Sequence, residues 1–397
     1  MKRSAAAVGA LLAALESAQQ LRRRRSVGGY ASSGSILEPV LDGERLINFC
    51  SNDYLGLAGD TRVAAAMQAA AVKWGAGAGA AHLVTGHTQE HQALEEELAA
   101  FTGREAALLF STGYMANVGV ITALAARGEV VVQDRFNHAS LLDGARQSGA
   151  RLLRYRHGDA ADAARVLDSA SGKAVFIATD GVFSMDGDIA PLAQLAELAT
   201  RHEAWLLVDD AHGLGALGAT GGGSLQLAGL DATQVPLLVG TLGKAFGSFG
   251  AFVAGSREVI ELILQRARSY IYTTALPPAV AAATRAALRI VAEEGWRRER
   301  LAALIALFRS GAAQRGLPLL PSPTAIQPLL LPGAAQCMAA SRALLARGFW
   351  VSAIRSPTVP AGTERLRVTL SAGHSDAQVL ALLDALQECV PVPATRS

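Results

Sequence analysis

Charge is scarce in this 397-residue chain. Asp, Glu, Lys and Arg make up 18% of it, and 36 basic against 34 acidic side chains leave a formal charge of +2. No strong overall field therefore exists to hold nucleic acid or an anionic membrane surface, and partners have to be selected locally. Cysteine is nearly absent: Cys50, Cys337 and Cys389 form no CxxC, which fits neither a disulfide framework nor a zinc cage and suits a reducing cytosol. Uncharged apolar runs are also too short for the 18 or so residues of a membrane span. Val8 to Leu15, after Lys2 and Arg3, imitate a signal or transit segment. Glu16 interrupts that run, no clear cleavage site follows, and Arg22 to Arg25 stand on its wrong side. A helix docked on the body is the plainer expectation.

What is abundant is apolar residue, 51% of the chain, enough to bury about three-quarters of the unfolded surface in two domains. Two short apolar runs between Ile36 and Phe49 flank Asp42-Gly43, which predicts a small antiparallel hairpin. Beyond Tyr54, strand-like runs at 107–110, 130–133, 152–155, 174–179, 205–208 and 237–239 are separated by helix-length, alanine-rich segments. That alternation predicts an α/β fold, a mostly parallel sheet with helices on both faces, which binds its ligand outside the carboxyl ends of the strands. A helical stretch from Pro277 to about Arg315, interrupted near Gly295, leads into a proline-rich segment at 317–332. A helix at 335–346, strands near Trp350 and at 366–370, and a last helix from Ser375 complete a smaller α+β domain. The expected division is 1–55 for the N-terminal helix and hairpin, 56–290 for the large domain and 291–397 for the small one.

Lysine is the scarcest cation. There are four, Lys2, Lys73, Lys173 and Lys244, and the last sits in Gly240-Thr-Leu-Gly-Lys-Ala-Phe-Gly247, an apolar, glycine-rich loop just after a strand. Arginine cannot replace it if the task is to lose a proton and form an imine, because guanidinium stays charged whereas a buried ammonium titrates well below its ordinary value of about 10.4. Rival motifs fail. Gly243-Lys244 lacks the opening glycine and the following Ser/Thr of a P-loop, and Thr241-x-x-Lys244 has no accompanying Lys-Thr-Gly. Gly213-x-Gly215-x-x-Gly218 is followed by more glycine in place of a helix. His87-Thr-Gln-Glu90-His91 matches the inverted zinc-peptidase pattern but lacks a third ligand, so no metal site is expected.

Asp209 follows the strand at 205–208, with His212 beside it. Such an acid suits a metal, a catalytic base or a cationic ring nitrogen, and an imine-forming lysine on a later strand end favours the ring nitrogen of pyridoxal phosphate. Ser111-Thr-Gly113-Tyr114 opens a helix after a strand, so its backbone N–H groups can face a phosphate, with hydroxyls from Thr241 and Ser184. His138, at another strand-to-helix turn, has the flat ring needed to stack on the cofactor.

With these residues in hand, the sequence resembles the α-oxoamine synthases. The likeness is carried by Asn48-Phe-Cys-Ser-Asn52-Asp-Tyr-Leu-Gly-Leu57, His91-Gln-Ala-Leu-Glu-Glu-Glu-Leu98, Gly181-Val-Phe-Ser-Met-Asp-Gly-Asp188, Val208-Asp-Asp-Ala-His-Gly213 and Thr241-x-Gly-Lys244. It implies a type I aminotransferase-like fold, a homodimer with active sites at the subunit interface, and Lys244 as the residue that carries the cofactor. His138, Asp209 and Lys244 become the catalytic set; Gly113, Tyr114, Ser184, His212 and Thr241 join them around the cofactor. The substrate residues implied are Arg22, Asn52, Arg355, Thr358 and Arg367. Arg367 matches the arginine that holds the amino acid's carboxylate.

The acyl donor is the open choice. Ala353-Ile-Arg355-Ser-Pro-Thr358-Val-Pro-Ala-Gly-Thr363 looks like the branch that condenses L-alanine with a pimeloyl thioester, on coenzyme A or acyl carrier protein. Its free carboxylate suits Arg355 or the Arg22 region. Glycine-using relatives with acetyl- or succinyl-CoA typically carry an aromatic residue where Arg355 stands. A sister synthase of that kind, or a non-catalytic cofactor-binding protein, are the alternatives. Two departures stand out: Thr179-Asp180-Gly181 replaces the usual Thr-Glu-Gly, and the loop from Gly75 to His82 lacks the serines seen in relatives.

Overall fold

The computed structural model describes residues 4–33, 36–170 and 175–390. They divide into two compact units, one of residues 52–184 and 188–301, the other of the chain up to Ser51, Met185–Gly187 and the chain from Ala302 onward.

The first unit is built on seven strands: β1 Ala106–Phe110, β2 Val130–Asp134, β3 Arg151–Tyr155, β4 Val175–Asp180, β5 Trp205–Asp209, β6 Leu237–Thr241 and β7 Ala251–Gly255. Their spatial order is β1-β7-β6-β5-β4-β2-β3. The pairings of β2 with β3 and β4, of β4 with β5 and of β5 with β6 are parallel. Every residue of β2 and β7 is buried, so both faces of the sheet are covered, as a sheet joined by helical crossovers requires. Leu108, Phe110, Val131, Leu207, Val239 and Val253 lie in its core. Burying each such side chain stabilises the fold by about 1.5–3 kcal/mol.

The reading of the sequence missed β7, and the omission matters. β7 runs antiparallel to both β6 and β1, and no helix separates it from β6. The glycine-rich lysine loop, residues 242–250, is the connection. Leu242 N–H donates to Gly250 O at 2.8 Å, Ser248 N–H to Leu242 O at 2.9 Å and Gly247 N–H to Lys244 O at 2.8 Å. Gly247 adopts φ +59°, and a Cβ there would collide with the backbone of Leu57 and Ala58. The loop is thus folded onto itself with Lys244 at its turn. The expected strand at 174–179 begins outside the described residues at Ala174; β4 as described runs one residue further, to Asp180.

In the second unit, Asp42 and Gly43 take φ +52° and +88°, the left-handed pair of a tight hairpin turn, between Ile36–Leu41 and Glu44–Arg45; a further strand, Gly29–Ser33, pairs outside it. A second antiparallel sheet has Arg365–Thr369 between Ile326–Leu330 and Ser352–Ile354, and Phe349–Trp350 pairs in parallel with Ile47–Asn48. Helices Ala334–Leu345 and Asp376–Cys389 accompany them, the latter capped by Ser375. The helical stretch from Pro277 is two helices, Pro278–Glu293 and Trp296–Gln314, with Gly295 between them.

The N-terminal helix exists, Ala5–Ser17, capped by Ser4 Oγ, which accepts from Ala7 N–H at 3.2 Å. It is not docked. None of its residues is buried, and Val8, Leu11, Leu12 and Leu15 are exposed. Ala and Gly fill so much of the cylinder that no single apolar stripe is set against a polar one. No helix among the described residues is long and apolar enough to cross a membrane.

Candidate active site

Lys244 belongs to a chain of side chains that reaches back to Asn52. Its Nζ lies 2.7 Å from His212 Nε2, His212 Nδ1 lies 2.5 Å from the Tyr54 hydroxyl, and that hydroxyl donates to Asn52 Oδ1 at 3.3 Å. The arrangement that serves every group has Nδ1–H donating to the tyrosine oxygen and Nε2 accepting from the amine. Tyr54 is buried. The lysine amine is thereby held at one point, next to a ring able to hand a proton on.

On β5, Asp209 is the last residue of the strand and buried. Its Oδ2 accepts from Asn117 Nδ2 at 2.6 Å and its Oδ1 from Ala211 N–H at 3.0 Å. The same Asn117 amide donates to Ser140 Oγ at 2.8 Å, and Ser140 Oγ meets His138 Nδ1 at 2.7 Å. Loss of water around His138, with help from the Lys244 charge and against the pull of Asp209, holds its pKa below the ordinary histidine value. At neutral pH the ring is therefore an uncharged plane, and the residue stays exposed. Asp180, at the end of β4, accepts from His138 N–H through Oδ2 at 2.7 Å.

This donor set fits pyridoxal phosphate. It combines a primary amine, a buried carboxylate able to pair with a protonated ring nitrogen, and a flat neutral ring. Helix Gly113–Leu124 adds an N-terminus: Thr112 Oγ1 satisfies Met115 N–H at 3.2 Å, leaving the amides of Gly113 and Tyr114 without a partner inside the helix. The Tyr114 side chain is half exposed and donates to Asp143 Oδ2 at 2.5 Å. Thr241 ends β6 with its hydroxyl donating to Gly250 O at 3.2 Å. Ser184 lies in the loop after β4, between Val182 and Asp188.

Residues 44–386 match the model of the class I and II aminotransferases. The chain belongs to this family. It is 57% identical over 383 residues to the 8-amino-7-oxononanoate synthase of Pseudomonas putida (strain GB-1), covering 95% of this chain and 98% of the relative. Serine palmitoyltransferase from Sphingomonas wittichii superposes with a TM-score of 0.91 at 31% identity, covering 98% of each chain. A serine palmitoyltransferase solved with pyridoxal phosphate joined to it as an internal aldimine superposes equally well, TM-score 0.91 at 32% identity over 98% of each chain. Pyridoxal phosphate is the cofactor of this aminotransferase-family protein, and its fold is the type I aminotransferase-like α/β fold.

The three arginines expected at the substrate lie in the second unit. Arg22 Nη2 donates to Thr358 Oγ1 at 3.4 Å. Arg355, expected beside a ligand carboxylate, donates to backbone carbonyls, from Nε to Gln19 O and from Nη2 to Leu21 O at 3.0 Å. It ties down the segment that carries Arg22. Arg22 to Arg25, with Arg342 and Arg355, line a cleft of about 730 Å³. Arg23 is paired with Glu16 at 2.6 Å. Arg367 is buried in the middle of its strand, with Nη1 donating to Thr369 Oγ1 at 3.1 Å.

The zinc-like histidine pair acquires the partner that its sequence pattern lacks, since one ring nitrogen of His82 lies within 4.8 Å of those of His87 and His91. The lone pair of His91 is already engaged. Its Nδ1 accepts from Thr88 N–H at 3.0 Å to cap helix Gln89–Phe101, and its Nε2 donates to Leu276 O at 2.7 Å. His82 and His87 share a 3.0 Å hydrogen bond, and His82 stacks on Tyr270 with centroids 5.0 Å apart. With both nitrogens of His91 engaged, the cluster reads as a packing node. The dinucleotide-like glycines have a packing reason too: a Cβ on Gly213 or Gly215 would strike Asp210 or Ala245. Tyr54, Asn117, Ser140 and Asp180 were not foreseen as parts of the site. The motifs that contain Tyr54 and Asp180 were visible, but their side-chain partners were not.

Proposed function

We propose that the protein catalyses the decarboxylative condensation of L-alanine with a pimeloyl thioester, giving 8-amino-7-oxononanoate, CO2 and the free thiol, a step of biotin biosynthesis. A bond forms between the alanine Cα and the acyl carbon while the C–S bond breaks, and the Cα–carboxylate bond breaks with release of CO2. When bound, pyridoxal phosphate supplies an electron sink for the charge that develops at Cα. Lys244 is the base that takes the Cα proton, and His212, backed by Tyr54, holds the amine in place for it. Asp209 would pair with the ring nitrogen, with Asn117 fixing its direction. His138 presents its uncharged face to the ring, and the amides of Gly113 and Tyr114 with the Thr241 hydroxyl take the phosphate. Arg367 and Asn52 are assigned to the amino-acid substrate.

Arg22 and Thr358 are assigned to the far carboxylate of the acyl chain, with Arg355 as the positioning residue that secures them. Homodimerisation is part of the reading, supported by large apolar side chains left open on the first unit, among them Val84 at 73% and Tyr272 at 71% exposure. A cytoplasmic site of action is supported by the three free cysteines.

The observation that carries the proposal is Lys244 Nζ held at 2.7 Å from His212 Nε2 in the loop that follows β6, with Asp209 at the end of the neighbouring β5. The test is a product assay by mass on the holoenzyme, offering alanine or glycine with pimeloyl-CoA, pimeloyl-acyl carrier protein, acetyl-CoA and succinyl-CoA. Product of the 8-amino-7-oxononanoate mass from alanine and a pimeloyl donor is expected. Turnover confined to glycine with a short donor would replace this reading by that of a sister synthase.

A further inference from the structure

We propose that Asp180 is the positioning residue that sets His138 and reserves the negative charge of the site for Asp209. The turn between β2 and helix Ala139–Ser148 is fastened to the end of β4 by both parts of Asp180. Its side chain accepts from His138 N–H at 2.7 Å, and its own N–H donates to Asn137 Oδ1 at 3.2 Å. Asn137 Nδ2 in turn donates to Ala178 O at 2.7 Å. His138 is thus held at its backbone by Asp180 and at its ring by Ser140, so the plane of the imidazole has no soft torsion left. An aspartate spans this gap directly. A glutamate, one methylene longer, would have to fold back inside a buried position.

The second half of the role follows from register. Asp180 and Asp209 are direct partners across the parallel pair β4 and β5, so their side chains leave the same face of the sheet. Two buried neighbouring carboxyl groups do not both ionise cheaply. Asp209 accepts from two donors, Asn117 and Ala211, and Asp180 from one, His138. Burial first, and then the charge of Asp209, push the pKa of Asp180 well above the ordinary carboxylate value. The groups facing it are Asp209, His138, Lys244, Asp134 and Tyr155. A neutral Asp180 keeps the bond to His138 and leaves Asp209 as the charge that answers a ring nitrogen.

This inference rests on the reading of the site as a pyridoxal phosphate site, and its test contains a measurement that does not. In the full-length protein without cofactor, hydrogen exchange at the His138 amide should be slow, fast in Asp180→Ala, and slow again in Asp180→Asn, which keeps an oxygen acceptor but no charge. In the holoenzyme, Asp180→Ala should lower kcat about 10- to 100-fold, as a misplaced catalytic group does, with little change in KM for the thioester. The visible absorbance of the bound cofactor should shift as well. Asp180→Asn should recover at least about a third of kcat, with the parent's absorbance and pH profile, since it replaces a neutral acid by a neutral amide. If Asp180→Ala does not accumulate folded, Asp180→Ser, too short to reach His138 N–H, is judged by the same criteria. An Asn variant as impaired as the Ala variant, a pH profile moved by Asn, or an Ala variant indistinguishable from the parent overturns the inference. A parent that binds no pyridoxal phosphate while the exchange pattern holds overturns the proposed function and not the fastening of His138.

Discussion

Around Lys244, polar side chains fix one another: amine to imidazole, imidazole to phenol, phenol to amide, and across the sheet Asp209 to Asn117 to Ser140 to His138. Around Arg22 the cations are exposed, line an open cleft, and are located chiefly by the segment they stand on, which Arg355 holds by two backbone carbonyls. Under the proposed function the contrast reflects two tasks. Moving a proton to and from carbon needs donors fixed to a fraction of an ångström in surroundings where a charge pair at 4 Å is worth about 4 kcal/mol, against about 1 kcal/mol in water. Holding the far end of a flexible acyl chain needs charge and reach, and tolerates solvent.

That difference can be broken by substitution, beginning where the effect is largest. Lys244→Ala should lower kcat by at least about 10³-fold, because it removes the proton carrier and the attachment point together. The visible absorbance of the lysine-bound cofactor should disappear with it, and a variant that keeps a tenth of its turnover breaks the assignment. Arg22→Gln should raise KM for a pimeloyl thioester by about 10- to 50-fold with kcat little moved, the signature of lost uniform binding. An equal loss with a thioester lacking the far carboxylate would show that the open cluster does not read that group. Tyr54→Phe should cost kcat about tenfold, the worth of one buried hydrogen bond to the His212 ring, and leave KM for the thioester unchanged. Arg355→Ala, acting through the arm, should raise the same KM by less than Arg22→Gln does and speed proteolysis between residues 18 and 25.

The smallest effect concerns stability. His157 lies between Asp134 and Asp188, 3.0 Å from each. Burial opposes its charge, but the two carboxylates outweigh burial and push its pKa to about 10. A raised histidine stabilises the fold fully below its unfolded value of about 6.5, and that contribution fades as pH climbs through about 10. Urea midpoints should therefore fall between pH 7 and pH 10 in the parent, and fall less in His157→Gln. Parallel curves would remove the charge from this contact.

Much of the candidate site was legible because strand ends leave a mark in sequence. An apolar run that stops at Asp209, a glycine-rich turn around Lys244 and a capped helix at Gly113 each show where a carboxyl end of the sheet lies, and in such sheets that is where ligands go. Asp180 and Tyr54 were in view as parts of motifs, but their partners stand 42 and 158 residues away in the chain, beyond any local pattern. β7 escaped because it enters through a glycine loop without a preceding helix. That Arg355 meets the main-chain oxygens of Gln19 and Leu21 was not legible, because every residue possesses such oxygens and no sequence marks them. The N-terminal helix was read as docked because its apolar content is plain in sequence, whereas the surface it would need to cover is not.

Composition, periodicity and a few spaced motifs determined by themselves the class of fold, six of the seven strands of its main sheet and which lysine and aspartate stand just past strand ends, since these depend on local preference and on where strands end. Tertiary structure alone decided which carboxyl group stands beside Asp209, which hydroxyl backs His212 and what Arg355 grips. Those relations arise from β-register and from contacts between distant segments, and a linear code records neither.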